Sequence, residues 1–70
     1  MEITMVCIDP SRNVKKFWKA SVEFNSYVAT WGRIGQDPVE QAKTFRSGWA
    51  ARQHLAKKVA EKRAKGYVEL

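Results

Sequence analysis

This 70-residue chain has one pair of residues whose side chains and spacing suit the binding of a ligand. They are Trp31 and Arg33, which are two positions apart with Gly32 between them. Successive side chains of a β-strand point to opposite faces, so in a strand these two would share a face. An indole ring can stack on a base or a sugar, and a guanidinium can hold a phosphate through two hydrogen bonds. On the tripeptide alone, the favoured interpretation is still a core tryptophan beside a solvated arginine.

The chain is strongly basic, with 13 Lys and Arg against seven Asp and Glu and a formal net charge of +6. Such a balance favours polyanionic partners, which are nucleic acids, acidic proteins or anionic membrane surfaces. No apolar stretch approaches the roughly 18 residues of a transmembrane helix, and the N-terminus has no signal-peptide pattern. We therefore predict a soluble, intracellular and cytoplasmic protein, associated with the nucleoid if bacterial, that has no membrane partner.

Side chains suited to catalysis are few. The one cysteine, Cys7, falls on a predicted strand, and the one histidine, His54, falls on a predicted helix. A buried thiol and a helix-surface imidazole are favoured over a catalytic couple, which would need a tertiary contact that nothing in the sequence supports. The acidic residues form no helical i, i+3 or i, i+4 pair. We predict a protein that is not an enzyme and that holds no metal and no cofactor.

Hydropathy patterning separates strands in the first part of the chain from a helix in the second. Alternating or β-branched segments predict four antiparallel strands at about residues 2–9, 16–24, 27–34 and 39–45. A proline-free run rich in Ala, Lys, Arg and Gln predicts one long helix at about 47–65. The predicted fold class is α+β, a single domain of residues 1–70 in which the helix packs on one face of a four-stranded sheet.

The alternation also predicts which side chains share a face. On the second strand, the expected core face consists of Trp18, Ala20, Val22 and Phe24. The short polar link Asn25-Ser26 predicts a hairpin to the third strand. One face of that third strand carries Tyr27, Ala29, Trp31 and Arg33, and the other carries Val28, Thr30, Gly32 and Ile34. The polar composition of the fourth strand indicates an edge of the sheet or a face open to solvent.

Ser47 is a suitable N-cap for the helix, and Gly66 stands where a left-handed C-terminal cap is wanted. An apolar stripe at three- and four-residue spacings is expected to lie on the sheet, namely Gly48, Ala51, Leu55 and Val59. We expect the opposite surface to carry the basic residues Lys57, Lys58, Lys62, Arg63 and Lys65. Whether that surface contacts a partner or is simply solvated and favoured by the helix dipole stays open at this point.

Several blocks, spread over nearly the whole chain, carry a resemblance to a known family. They are Asn13, Lys16-Phe17-Trp18, residues 27–35, Lys43-Thr44-Phe45, Ser47, Ala51, Leu55, Lys62 and Gly66-Tyr67. Together they resemble the WGR domain of DNA-dependent poly(ADP-ribose) polymerases and of small bacterial proteins. The resemblance implies an antiparallel sheet with one long helix against it. It also implies a non-catalytic module that binds DNA, rather than RNA, near strand breaks.

The same resemblance implies roles for individual residues. Trp31 matches the tryptophan that stacks on the sugar at a DNA end, and Arg33 matches the arginine beside it, which works on phosphate or on a neighbouring domain. Tyr67 matches a tyrosine placed near the terminal phosphate, while Asn13 and Lys16 match positions near the DNA backbone. Two of these have structural alternatives, since Tyr67 could pack under the helix end and Asn13 could serve a turn.

The resulting prediction is a non-catalytic, monomeric module that binds double-stranded DNA, or its ends and nicks, through the backbone and the terminal nucleotide. The predicted binding residues are Trp31, Arg33, Tyr67, Lys16, Asn13, Lys58, Lys62 and Lys65. The main alternative is a protein-interaction adaptor that docks an acidic partner protein on its basic face. A third is an RNA-binding or nucleoid-coating protein.

Overall fold

A computed structural model describes residues 1–70, which form a five-stranded antiparallel sheet with one long helix on one face. The strands are β1 (Glu2–Asp9), β2 (Val14–Glu23), β3 (Ser26–Arg33), β4 (Val39–Thr44) and β5 (Val68–Glu69), in the sheet order β4-β3-β2-β1-β5. Helix α1 spans Gly48–Ala64. This helix is too short and too polar to cross a membrane. The predicted α+β class is confirmed.

The sheet has one strand more than the four predicted. β5 pairs with β1 at Met5 with Glu69 and at Val6 with Val68. Two residues are too few to show an alternating pattern, so the sequence carried no signal for this strand. In the connection between β1 and β2, Pro10–Arg12 forms a 3-10 turn.

β2 and β3 form the predicted hairpin, and their register determines which side chains are neighbours across the sheet. Trp18 lies opposite Trp31, and Lys16 lies opposite Arg33. Because side chains alternate, these four share the face that α1 partly covers. Trp18 is buried there, whereas Arg33, at the end of β3, is half-exposed. The face of the sheet that packs against the core therefore ends in two cationic side chains, Lys16 and Arg33.

Phe24 departs from the predicted core face. It stands in the turn between β2 and β3 with a φ of 54°, and it is 81% exposed. The left-handed backbone reverses the chain toward β3 and takes the phenyl ring out of the strand alternation that the prediction assumed. Asn25, the next residue of the turn, ties the hairpin to the start of α1, because its amide donates to the carbonyl of Phe45 over 2.9 Å.

The core lies between α1 and the covered face of the sheet. Ten buried residues form it: Met5, Cys7, Trp18, Ala20, Val22, Tyr27, Ala29, Ala51, Leu55 and Tyr67. From the predicted helical stripe, Ala51 and Leu55 are buried, and Val59 packs partly against the cluster. Every member of the cluster is apolar or aromatic, so burial of their surface stabilises the position of the helix on the sheet.

His54 packs beside the core, and its predicted place on the free surface of the helix is wrong. Its ring centroid lies 4.6 Å from that of Tyr27 and 4.9 Å from that of Phe45. The Nε2 atom is shielded from solvent and forms no hydrogen bond. The helical pattern places His54 just outside the apolar stripe, so it did not predict burial of this side chain. The rings that enclose His54 are those of Tyr27 on β3 and Phe45 in the β4–α1 connection. Cys7 is buried on β1, two strands away from Tyr27.

β4 forms one edge of the sheet, as its polar composition predicted, and all six of its residues are exposed. Charged side chains such as Glu40 and Lys43 on an exposed edge discourage pairing with another chain. Gln41 lies opposite Ala29 of β3 and so belongs to the face that α1 partly covers. This placement brings a polar amide to the rim of the core.

Candidate nucleic-acid interface

Tyr67 owes its position to the way in which α1 ends. The N–H of Gly66 donates to the carbonyl of Arg63 over 3.1 Å, and the N–H of Tyr67 donates to the carbonyl of Lys62 over 3.0 Å. With Gly66 at a φ of 96°, these two bonds form a Schellman motif, as expected of a glycine C-terminal cap. The chain reverses there, and Tyr67 folds back under the last turn and is buried.

Five of the eight predicted binding residues lie around one open cavity of about 450 Å³. They are Asn13, Lys16, Trp31, Arg33 and Tyr67, and the lining is completed by Val14, Lys15 and Gly32. These residues come from the β1–β2 turn, the start of β2, the end of β3 and the segment after α1. None of them is acidic. The fold thus brings together a cluster of basic and aromatic side chains from four separate parts of the chain.

Asn13 orients the guanidinium of Arg33. Nη1 of the arginine donates to the backbone carbonyl of Asn13 over 3.1 Å, and Nη2 donates to its side-chain Oδ1 over 3.3 Å. Asn13 ends the 3-10 turn in the left-handed conformation, with a φ of 55°, which asparagine tolerates better than most residues. The turn is held by Asp9, which accepts hydrogen bonds from Ser11 and Arg12. Asn13 therefore serves a turn, and through it positions Arg33.

Two lysines lie against the ring of Tyr67. The Nζ of Lys16 is 5.6 Å from the ring centroid, and the Nζ of Lys62 is 5.2 Å from it. Lys62 also lies 5.9 Å from the centroid of a Trp18 ring. At these distances the aromatic rings attract the ammonium groups. The ring of Tyr67, which lines the cavity, thus attracts Lys16 within the cavity and Lys62 beside it without cancelling their charge.

The cations of this cluster lie close to one another and form no ion pair. Lys16 and Arg33 lie directly opposite each other on β2 and β3, an arrangement in which like charges repel. Lys16, Arg33 and Lys62 differ in this from other basic residues of the chain, which pair with carboxylates. Burial lowers the pKa of Lys62, and the charges of nearby lysines lower it further, against an opposing effect of Glu61. A bound anion would relieve this repulsion, and phosphate suits the donor groups present.

Trp31 lies between the core and the cavity. It is half-buried and packs against the core, and it also lines the cavity. The glycine beside it, Gly32, has a φ of 156°, a backbone conformation that other residues rarely adopt. Space is not the constraint, because a Cβ there would stand at a contact distance of 3.4 Å from the Cα of Pro38.

The prediction that the basic helix residues lie opposite the sheet is wrong for Lys58 and Lys62. Both line a second, smaller cavity of about 150 Å³ between α1 and the sheet. The rest of its lining consists of Trp18, Tyr27, Ala29, Trp31 and Gln41. Long lysine stems can lie along an apolar surface while the ammonium reaches the rim, which the helical pattern alone does not show. Lys65 caps the helix, is exposed and lines neither cavity.

Four residues of the smaller cavity were not among the predicted binding residues, namely Trp18, Tyr27, Ala29 and Gln41. Trp18 was assigned to the core, where it is indeed buried, but its ring also meets Lys62. Gln41 gave only the signal of a polar edge strand. Its pairing opposite Ala29 settles which face of the sheet it occupies. No local pattern in the sequence specifies that pairing.

Comparisons with known proteins agree with this architecture. The family model of the WGR domain matches residues 1–70. The crystal structure of a protein from Bacteroides fragilis matches with a TM-score of 0.90 and 34% sequence identity, over 100% of this chain and 19% of that chain. This chain therefore corresponds to a small part of the longer protein. A search of curated proteins found no match. The chain belongs to the WGR family, whose domain is a non-catalytic nucleic-acid-binding module.

Proposed function

We propose that this chain binds double-stranded DNA at strand ends and nicks, through the sugar-phosphate backbone and the terminal nucleotide. The observation that carries the proposal is the cluster of Arg33, Lys16 and Lys62 around the half-buried ring of Trp31, with no carboxylate among the residues that line the cavity. DNA offers a partner for each group, since phosphates suit the cations and a sugar or base offers a flat surface to the indole.

Arg33 is the main phosphate ligand in this proposal. Of the five N–H donors of a guanidinium, two are occupied by Asn13, which leaves others for a phosphate. Tyr67 can add a donor at neutral pH. Burial raises the pKa of its phenol above the ordinary value of 10.0, and Cys7 raises it further, so the hydroxyl stays protonated. Both residues line the same cavity, so we propose that both act on the same terminal phosphate.

A preference for interrupted strands follows from the role of Trp31. In an intact duplex the neighbouring nucleotide occupies the space that the indole needs, whereas an end or a nick leaves the face of the terminal sugar open. The contacts proposed here go to the backbone, which is the same for every sequence. We therefore expect little dependence on base sequence.

The test compares two DNA duplexes with hairpin-capped ends, one with a central 5′-phosphorylated nick and one sealed. The parent chain should bind the nicked duplex more tightly. Trp31→Ala removes the stacking surface and Arg33→Ala removes the phosphate ligand, and each should weaken binding to the nicked duplex by about tenfold or more. Fluorescence anisotropy of labelled DNA measures the affinities.

Matched control variants are available at the other end of the molecule. Trp49→Ala and Arg52→Ala remove the same side-chain types from exposed positions near the start of α1, and both should bind like the parent. Because Trp31 also packs against the core, binding is measured at a temperature where thermal unfolding shows every variant folded. If Trp31→Ala and Arg33→Ala bind the nicked duplex as tightly as their controls, the proposal is wrong and the adaptor alternative is favoured.

A further inference from the structure

The smaller cavity, between α1 and the sheet, is basic and aromatic but takes no part in holding the terminal phosphate. We infer that it is a second phosphate subsite, which receives the next phosphate along the DNA strand whose terminal phosphate lies beside Arg33. The inference rests on the proposed function, because it requires a DNA strand that passes over Trp31.

Trp31 connects the two subsites. It lines both the cavity of about 450 Å³ and the cavity of about 150 Å³. The terminal sugar of a 5′-phosphorylated strand stands between two phosphates. A sugar that stacks on the indole therefore places one phosphate on each side of the ring. The terminal phosphate lies toward Arg33, and the following phosphate lies toward the smaller cavity.

The smaller cavity has the donors that a phosphate needs. Lys58 and Lys62 are four residues apart on α1, so both ammonium groups approach the cavity from one side of the helix. Gln41, on the edge strand, carries an amide that can donate a hydrogen bond. No acidic residue lines the cavity. A volume of about 150 Å³ holds roughly five water molecules, which is room for one phosphate group and little more.

Lys62 stands between the two subsites. Its ammonium lies over the ring of Tyr67, which lines the larger cavity, and it also lies near the ring of Trp18, which lines the smaller one. Lys58 belongs to the smaller cavity alone. Its only charged partner is Glu61, with Nζ and Oε1 3.5 Å apart and both side chains well exposed. An exposed pair of this kind is weak, so a phosphate can replace the carboxylate.

The test uses chemically modified DNA. A duplex with one 5′-phosphorylated end carries a neutral methylphosphonate at the first internucleotide linkage, and the control DNA carries it at the fifth. Modification of the first linkage should weaken binding of the parent chain roughly two- to tenfold more than modification of the fifth. Lys58→Gln should cause a comparable loss on unmodified DNA and no further loss when the first linkage is already neutral.

Two variants separate this effect from general changes in charge or stability. Lys57→Gln removes the same charge from the next residue, which lines neither cavity, and its small loss should be equal on both DNAs. Glu61→Gln removes the carboxylate that competes for Lys58. It should tighten binding to unmodified DNA, a gain that a merely destabilised domain would not show.

Additive losses from Lys58→Gln and from the neutral first linkage would overturn the second subsite, as would equal behaviour of Lys58→Gln and Lys57→Gln. Arg33→Ala distinguishes this failure from failure of the proposed function. If Arg33→Ala still weakens binding while the losses are additive, only the second subsite is wrong. If Arg33→Ala has no effect either, the proposed function fails and the subsite fails with it.

Discussion

The guanidinium of Arg33 is held by two oxygens of Asn13 and by no carboxylate. Two other arginines of the chain are oriented differently, because Arg12 pairs with an aspartate and Arg63 with a glutamate. A carboxylate would orient Arg33 equally well, but it would also neutralise the charge that an incoming phosphate needs. Neutral acceptors orient the group and leave its charge available, as the proposed contact with phosphate requires.

His54 makes the stability of the domain depend on pH. Burial lowers the pKa of its imidazole below the ordinary value of 6.5, and Lys43, Lys58 and Lys57 lower it further, against an opposing effect of Glu61. The unfolded chain therefore takes up a proton at a higher pH than the folded chain does. The free energy of unfolding should be constant above about pH 7.5 and should fall as the pH drops through 6.5 toward the pKa of the folded state.

Urea unfolding at a series of pH values between 7.5 and 5 measures this dependence. His54→Phe keeps an aromatic ring between Tyr27 and Phe45 and removes the titrating group, so its stability should change much less over the same range. Asp9, whose pKa is held below its ordinary value of 3.8 by Ser11 and Arg12, titrates outside this window. An equal loss of stability in His54→Phe and in the parent would contradict the assignment to His54.

At the scale of secondary-structure elements, the termini carry three of the residues proposed to hold the terminal phosphate and its ligands in place. Arg33 is the last residue of β3, Asn13 follows the 3-10 turn, and Tyr67 comes two residues after the C-cap of α1. The middle of each element is occupied by core residues such as Ala29 and Leu55. Strand and helix interiors supply a rigid base, and their ends are free to present polar groups to a ligand.

The Schellman motif at the end of α1 can be tested through Gly66. Gly66→Ala forces a side chain into the left-handed region, which costs about 1–2 kcal/mol, although the new Cβ would stand at an ordinary 3.8 Å from the Sγ of Cys7. A shift of about 4–8 °C in unfolding temperature per kcal/mol is expected for a domain of this size. Binding to nicked DNA should weaken as well, because Tyr67 loses its position under the helix.

Gly66→Asn is the control for this substitution, because its effect should be smaller than that of Gly66→Ala. Asparagine enters the left-handed conformation more readily than alanine, so the asparagine variant should lie between the parent and Gly66→Ala in both stability and affinity. Calorimetry gives the unfolding temperatures. Equal stability of the alanine variant and the parent would mean that the helix end does not depend on the left-handed glycine.

At the scale of the whole molecule, the net charge of +6 makes association with DNA depend on salt. If Arg33, Lys16, Lys62 and Lys58 each neutralise a phosphate, the logarithm of the affinity should fall with the logarithm of the salt concentration with a slope of about −3 to −4. Titrations between 50 and 200 mM salt, roughly the range over which such effects are large, measure this slope.

Two arginine variants show which charges contribute to the salt dependence of DNA binding. Arg33→Ala should make the slope shallower by about 1, because one phosphate contact is lost. Arg52→Ala, which removes a charge outside both cavities, should leave the slope unchanged. A parent slope shallower than about −1 would be inconsistent with contacts to several phosphates.

The sequence by itself determined the fold class, the β2–β3 hairpin and both caps of α1, because alternation, helical period and capping chemistry are local properties of a chain. It also indicated, through the family resemblance, the five residues that the fold gathers around the larger cavity. Their contacts with DNA stay a prediction. The exposure of Phe24 was missed because a single left-handed residue ends the alternation that would have buried it.

Only the tertiary structure decided which side chains meet across elements. The position of α1 on the sheet decides that His54 is enclosed by aromatic rings and that Lys58 and Lys62 lie toward the sheet. It also decides that a cavity forms beside Gln41. The points at which the strands end decide that β5 pairs with β1. A helical or strand period specifies the faces of one element, but not the angle and offset at which two elements pack. These contacts have no local signature, because the partners come from distant parts of the chain.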